Sequence, residues 1–283
     1  MSDLLIDARS LVGKIPSSNY LVFDVRHDLA NHEAGRTAYE QGHIPGAIFL
    51  DHERQLSAPK TGKNGRHPLP SRSEFAALMR SQGLTPQTQV VVYDGGNSMF
   101  ASHLWWMLRW LGHDKVAILD GGWPAWLGAG GASVTAANIP ASIAEQGSFA
   151  AQAGMPTVDA QAVLANIDNP AFTVLDARAA NRYRGEVEPM DPVAGHIPGA
   201  LNRPNTLNVQ EDGRFKPASQ LRSEFDSLLQ GVPANNVVHQ CGSGISACHN
   251  LFAMELAGLP GSAVYPGSWS EWCSDPSRPV ARG

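Results

Sequence analysis

Cysteine is scarce in this 283-residue chain, which holds three: Cys241, Cys248 and Cys273. None stands in a C-x-x-C pair, so neither a disulfide scaffold nor a paired-cysteine zinc cage is on offer, and the sparse, odd count points to individual thiols in a reducing compartment. Long apolar runs are missing too. No stretch approaches the roughly 18 residues that mark a membrane-spanning helix. The opening segment MSDLLIDARSLVGKIP, interrupted by Asp3, Asp7 and Arg9, lacks a signal-peptide core, and a cytoplasmic location is expected. Charge of one sign is concentrated nowhere: Lys+Arg 21 against Asp+Glu 26 gives a net −5, which argues against nucleic acid and against a membrane surface as partners. Gly 28 and Pro 20 are too few for collagen or low-complexity disorder. What remains is a globular chain, 43% hydrophobic, long enough for two domains of about 150 residues and suited to small-molecule or protein partners.

The chain repeats itself. LVFDVR at Leu21–Arg26 returns as TVLDAR at Thr173–Arg178, and GHIPGA at Gly42–Ala47 returns unchanged at Gly195–Ala200. Further on, VVYDGGNSMFASH (Val91–His103) aligns without a gap with VVHQCGSGISACH (Val237–His249), and GGWPAW (Gly121–Trp126) with GSWSEW (Gly267–Trp272). The order is preserved and the period far exceeds the 20–50 residues of a solenoid, so each half should hold its own core. The expected layout is an N-terminal domain over residues 1–130, a linker rich in Ala, Gly and Ser over 131–156, and a C-terminal domain over 157–283. In each half, short β-branched runs alternate with segments whose apolar residues recur every three or four positions. That alternation predicts an α/β fold, a mainly parallel sheet flanked by helices in each half, with ligand sites in loops beyond the strand C-termini.

One such loop holds the strongest chemical signal. Val237–Gln240 reads as a buried strand, and Cys241-Gly242-Ser243-Gly244-Ile245-Ser246 leads from it into a helix beginning near Ala247. Converging loop amides and the helix dipole both favour negative charge on the sulfur, and the glycines let the backbone curl. A sulfur nucleophile ringed by the amides of residues 242–246 suits attack on a sulfur or phosphorus centre and binding of the anion that results. The aligned position in the N-terminal half is Gly95, so that half carries no thiol and is expected to be catalytically inactive. A cysteine-dependent phosphatase needs C-x5-R for its bidentate phosphate clamp. Six residues after Cys241 stands Ala247, so that clamp is missing.

The tandem halves, the two HIPGA segments, the D-x-R pairs Asp24/Arg26 and Asp176/Arg178, and the cysteine loop in the C-terminal half resemble the rhodanese superfamily of sulfurtransferases over nearly the whole chain. CGSGIS is similar to the C-G-S/T-G-V-T loop of members that use 3-mercaptopyruvate, rather than to the basic C-R-K-G-V-T loop of members that use thiosulfate. An uncharged loop suits a monoanion. The resemblance implies two tandem rhodanese-like domains, a Cys241 persulfide, no metal or organic cofactor, and a thiophilic acceptor such as cyanide, a small thiol or a thioredoxin-like protein. It implies further that Arg182 binds the substrate with Arg184 as a second donor, and that Ser243 works with His67 and Asp51, Glu53 being the rival acid. Many mercaptopyruvate-using members carry another arginine after an E-P pair, where this chain has Met190 after Glu188-Pro189. That departure keeps thiosulfate as the alternative donor, and a persulfide carrier with little turnover of its own as the alternative role. Other conspicuous residues read as structural. His43 and His196 recur in both halves and suit turn fixing, the D-x-R pairs suit buried ion pairs, Cys248 and His249 suit packing, and Trp123, Trp126, Trp269 and Trp272 suit core or interdomain anchoring.

Overall fold

The computed structural model describes residues 4–15, 20–135 and 147–283. They gather into two compact units that do not coincide with the two halves of the sequence. The first comprises Met1–Ser57, Pro70–Gly154 and Glu211–Arg214, the second Ala58–Leu69, Met155–Gln210 and Phe215–Gly283.

In the first unit, β1 (Leu5–Ile6), α1 (Ala8–Val12), β2 (Tyr20–Asp24), α2 (Ala34–Gln41), β3 (Ile48–Phe49), α3 (Arg72–Ser81), β4 (Gln89–Tyr93), α4 (Met99–Trp110), β5 (Val116–Leu119) and α5 (Gly122–Gly128) follow in order. The strands form one sheet in the order β1-β5-β4-β2-β3, every pair parallel. Parallel crossovers place helices on both faces, so the central strands must be apolar throughout, and β4 (QVVVY) is buried from Val90 onward. Helix starts follow local chemistry: Asp7 accepts the Ser10 amide ahead of α1, and Ser71 with Glu74 forms a capping box ahead of α3.

The second unit repeats the plan with α6 (Ala160–Asp168), β6 (Thr173–Asp176), α7 (Ala180–Tyr183), β7 (Leu201–Asn202), α8 (Ala218–Leu229), β8 (Val237–Gln240), α9 (Ile245–Leu256), β9 (Ala263–Val264) and α10 (Ser268–Trp272). Its sheet runs β7-β6-β8-β9, again all parallel, and a single parallel bridge from Thr157 to Val264 stands where β1 stands in the first unit. Both units thus have the parallel, helix-flanked sheet that the alternating pattern predicts.

The D-x-R repeats make the same buried pair twice. Arg26 donates from Nη2 to Asp24 at 2.6 Å and to the Gly42 carbonyl at 2.7 Å; Arg178 does so to Asp176 at 2.7 Å and to the Gly195 carbonyl at 2.8 Å. Each arginine thereby ties a strand end to a GHIPGA turn. In those turns His43 stacks on Tyr39 and His196 on Tyr183, both with ring centroids 3.8 Å apart, so these histidines hold the turns. Trp126, Trp269 and Trp272 are fully buried in the cores of their own units.

Two expectations about the layout change. Residues 136–146 of the expected linker lie outside the described residues, and the rest of it is not a spacer. Val134 bridges His43, and residues 147–154 run along the first unit: the Gly147 amide donates to the Arg80 carbonyl, Phe149 to Leu84 and Gln152 to Leu111, with the Phe149 ring buried. Poverty in large side chains reads as a linker, but backbone pairing and one buried ring suffice to dock it. Residues 58–69 of the N-terminal half belong to the second unit, and this carries GRHPLP to the cysteine loop.

Candidate active site

β8 ends at Gln240, and Cys241 begins the short loop into α9. The loop is pinned through its backbone. The Cys241 amide donates to Ser268 Oγ at 3.1 Å, its carbonyl accepts from the Trp269 amide, and the Gly242 carbonyl accepts from the Ser270 amide. Gly244 caps α9 in the left-handed region at φ 91°, where an added Cβ would meet the Pro266 carbonyl oxygen at 2.6 Å, so glycine is required. This curl brings the Gly244 amide to 3.2 Å from the Cys241 sulfur, at the N-terminus of a twelve-residue helix. The sulfur therefore faces an N–H donor and the positive end of the α9 dipole. Cys241 is 2% exposed.

Two guanidinium groups stand over the same loop. A Cβ on Gly242 would lie 2.7 Å from Arg66 Nη2 and 3.7 Å from Arg182 Nη1, so both guanidinium groups come close to the bare glycine. Arg182 projects from α7 and is anchored by Glu188, at 2.6 Å from Nη2 and 3.2 Å from Nε, and by Asp191 at 3.3 Å. Its Nη1 reaches the Met190 thioether at 3.9 Å, a weak acceptor that a carboxylate would displace. Arg66 pairs through Nη1 with the other oxygen of Asp191, while its buried Nε has no hydrogen-bond partner among the described residues. One carboxylate thus holds both cations. Burial pushes the Asp191 carboxyl up, against the pull of Arg66. Burial acts on Glu188 in the same sense, but Arg182 and the amides of Met190 and Asp191 bring its net position below the ordinary range. Behind them Arg178 lies over the Trp269 ring at 4.6 Å. Burial opposes its charge, yet Asp176, Glu188 and the Cys241 sulfur together hold it in the protonated form.

Ser243 and His67 meet directly, His67 Nδ1 lying 2.7 Å from Ser243 Oγ, with both residues buried. Asp51 has a different role. It sits in the first unit, where Oδ1 accepts the amides of Glu53 and Arg54 and Oδ2 takes the Arg54 guanidinium at 3.3 Å, so it caps its own turn. Arg184 is exposed and paired with Glu186 at 2.6 Å. Ser246 lies within the first turn of α9, and Ile245 is buried at its start. Sequence reasoning missed Arg66 and the shared anchor Asp191. The signal for Arg66 was its place beside His67.

The first unit shows what occupies this loop when no thiol does. The Trp123 amide donates to the Asp94 carbonyl as that of Trp269 does to Cys241, and the Val25 amide donates to Tyr93 as that of Ala177 does to Gln240. The counterpart of Cys241 is therefore Asp94 and not Gly95. The gapless alignment slips because the first unit's loop, Asp94–Ser98, has one residue more than Cys241–Gly244.

A comparison with known proteins agrees with this architecture. The profile of the rhodanese-like domain matches residues 7–129 and 159–275. A Pseudomonas aeruginosa protein named "Probable 3-mercaptopyruvate sulfurtransferase" is 47% identical over 282 residues, covering 99% of this chain and 98% of that protein. The thiosulfate sulfurtransferase of Cricetulus griseus is 36% identical over 245 residues, covering 84% of this chain and 79% of that protein. Among solved structures, SseA of Escherichia coli, described as a 3-mercaptopyruvate sulfotransferase, superposes with a TM-score of 0.80 at 32% identity, covering 94% of this chain and 99% of that one. Among the described residues no helix is long and apolar enough to cross a membrane.

Proposed function

The chain belongs to the rhodanese-like domain family, and from that premise we propose that it transfers the sulfur of 3-mercaptopyruvate to a thiophilic acceptor through a persulfide on Cys241. The observation that carries this reading is the pair Arg66 and Arg182 converging over Gly242, one residue from the thiol. Two guanidinium groups on one carboxylate anchor suit the α-keto carboxylate of mercaptopyruvate, each charge-assisted hydrogen bond stabilising by about 1.5–3 kcal/mol. Arg66 supplies from residues 58–69 the cation absent at Met190.

The Cys241 thiolate attacks the substrate sulfur. As the S–S bond forms, the C–S bond breaks and its electron pair passes into the enolate of pyruvate. The proton of the substrate thiol ends on the enolate carbon, giving pyruvate and leaving the persulfide as its anion. The Ser243–His67 pair is placed to move that proton. The Gly244 amide and the α9 dipole hold the negative charge, and burial of Cys241 limits water at the persulfide. Cyanide, a small thiol or a thioredoxin-like protein then removes the outer sulfur. A free, reduced Cys241 fits work in the cytoplasm.

Two cations beside the thiol also suit the thiosulfate dianion, which keeps that donor as the second reading. Thiocyanate formation from cyanide, run side by side on both donors with pyruvate followed in parallel, separates the two. Turnover on mercaptopyruvate far above thiosulfate, with stoichiometric pyruvate, is expected. Preference for thiosulfate overturns the donor assignment and keeps the chemistry, while a stable persulfide formed without pyruvate from either donor indicates a carrier.

A further inference from the structure

Far from the sulfur chemistry in sequence, the first unit gathers histidine in an unusual way. His27, directly after the Asp24/Arg26 pair, has its ring centroid 5.6 Å from that of His32 and 5.4 Å from that of His52. One ligand atom each of His27, His32 and Glu53 lie within 4.8 Å of one another, with His32 Nε2 to Glu53 Oε1 at 3.8 Å. His27 Nε2 is buried and has no hydrogen-bond partner among the described residues, so a lone pair or N–H that water would otherwise satisfy is left idle. His27 also lines a cavity of about 420 Å³ with Gly95, Gly96, Phe100, Glu211 and Asp212.

We propose that His27, His32 and Glu53 bind one divalent transition-metal ion of the zinc type, at the edge of the first unit's thiol-free loop. The donor set of two imidazoles and one carboxylate matches a borderline cation, and water completes four ligands. Ligand atoms around tetrahedral zinc stand about 3.4 Å apart, given bonds of roughly 2.0–2.1 Å. The observed spacing therefore needs only rotamer adjustment, which the half-exposed His32 side chain can make.

The backbone already presents the set. Asp28 Oδ1 accepts the amides of Ala30 and Asn31 at 2.7 and 3.0 Å, shaping the turn that carries His32. Asp51 does the same for the turn carrying Glu53. Arg54 bridges the turns, reaching Glu33 at 2.5 Å and Asp51 at 3.3 Å. Neighbouring Glu211 and Asp212 favour positive charge in the cavity.

The test uses the full chain with Cys241→Ser, to remove the competing thiol, titrated with Zn²⁺ by calorimetry and with Co²⁺ by visible absorption. One equivalent should bind, and His27→Ala and His32→Ala should each weaken binding about tenfold or more. His32 is exposed, so its variant keeps the fold even if that of His27 does not. The proposal is overturned if His32→Ala binds as tightly as the parent, if Co²⁺ shows thiolate charge-transfer bands, or if no ion binds below about 1 mM.

Discussion

The loops after β4 and β8 begin from the same sheet position, and they treat the anion-binding amides at the following helix in opposite ways. In the first unit the Asp94 carboxylate fills the cradle itself, Oδ1 accepting the amides of Gly96 and Ser98 and Oδ2 those of Phe100 and Ala101, between 2.9 and 3.2 Å. In the second unit the cradle meets a sulfur that accepts one amide, that of Gly244, at 3.2 Å. The residue before follows suit. Tyr93 hydrogen-bonds Asp24 at 2.6 Å, while the buried Gln240 side-chain amide has no partner among the described residues. One loop is finished as structure and the other is left unsatisfied for chemistry, which is how stability and function divide between duplicated units.

The largest test of that contrast is on the nucleophile. Cys241→Ser should cut sulfur transfer by at least about 10³-fold with the fold intact by circular dichroism. In the same background, Asp94→Cys should not restore it, since a Cβ on Gly95, the residue after the new thiol, would meet nothing within 4 Å, where one on Gly242 meets the guanidinium groups of Arg66 and Arg182. Turnover in that double variant would break the contrast. Next in size, Arg66→Ala and Arg182→Ala should each raise KM for mercaptopyruvate about 10- to 100-fold, the loss of one charge-assisted contact. Arg66→Lys should recover only part, because it keeps the charge but not the fork. A parental KM in Arg66→Ala would remove it from the site.

How much of this was legible in the sequence follows from what letters record. The repeat, the parallel α/β sheets and the cysteine loop show in β-branched runs and in the Gly-rich turn, because these are local. The Ser243–His67 contact came through resemblance alone. Arg66 stayed hidden because its segment precedes the second unit by most of a domain yet packs within it, and only tertiary structure reveals such a crossing. Gly95 rather than Asp94 aligns with Cys241 for a different reason. One inserted residue leaves the letters in better gapless agreement than the backbones, and a carboxylate does not look like a thiol until its amide partners are seen. Asp51 has the chemistry of a catalytic acid but the geometry of a turn cap.

Asp94 also defines a stability test. Asp94→Ala leaves four helix-entry amides without their acceptor in a site from which water is excluded, Asp94 being 1% exposed. An unfolding free energy lower by roughly 2–3 kcal/mol is expected from urea titration, with Asp94→Asn between the two. A loss under about 0.5 kcal/mol, the scale of an ordinary surface change, would show that the cradle is satisfied by other means.

The smallest effect concerns the strand beneath the loops. Val92 pairs with Ile118 in the first sheet, and the corresponding position in the second sheet is His239, paired with Val264. His239 is fully buried, with Ser262 Oγ at 3.1 Å from Nε2 and, among the described residues, no partner at Nδ1. Burial drives it from 6.5 down to about 3. Above the ordinary value both folded and unfolded chains carry a neutral ring, so stability does not depend on it. As pH falls below that value the unfolded chain takes up a proton and the folded chain does not, so stability drops until the folded value is reached. Between pH 7.5 and 5 this costs about 2 kcal/mol at 1.4 kcal/mol per unit. His239→Val, which gives the second sheet the residue of the first, should flatten the urea midpoint over that range by about this amount. An equal acid sensitivity in the variant would place the titrating group elsewhere and make the two sheets alike in this respect.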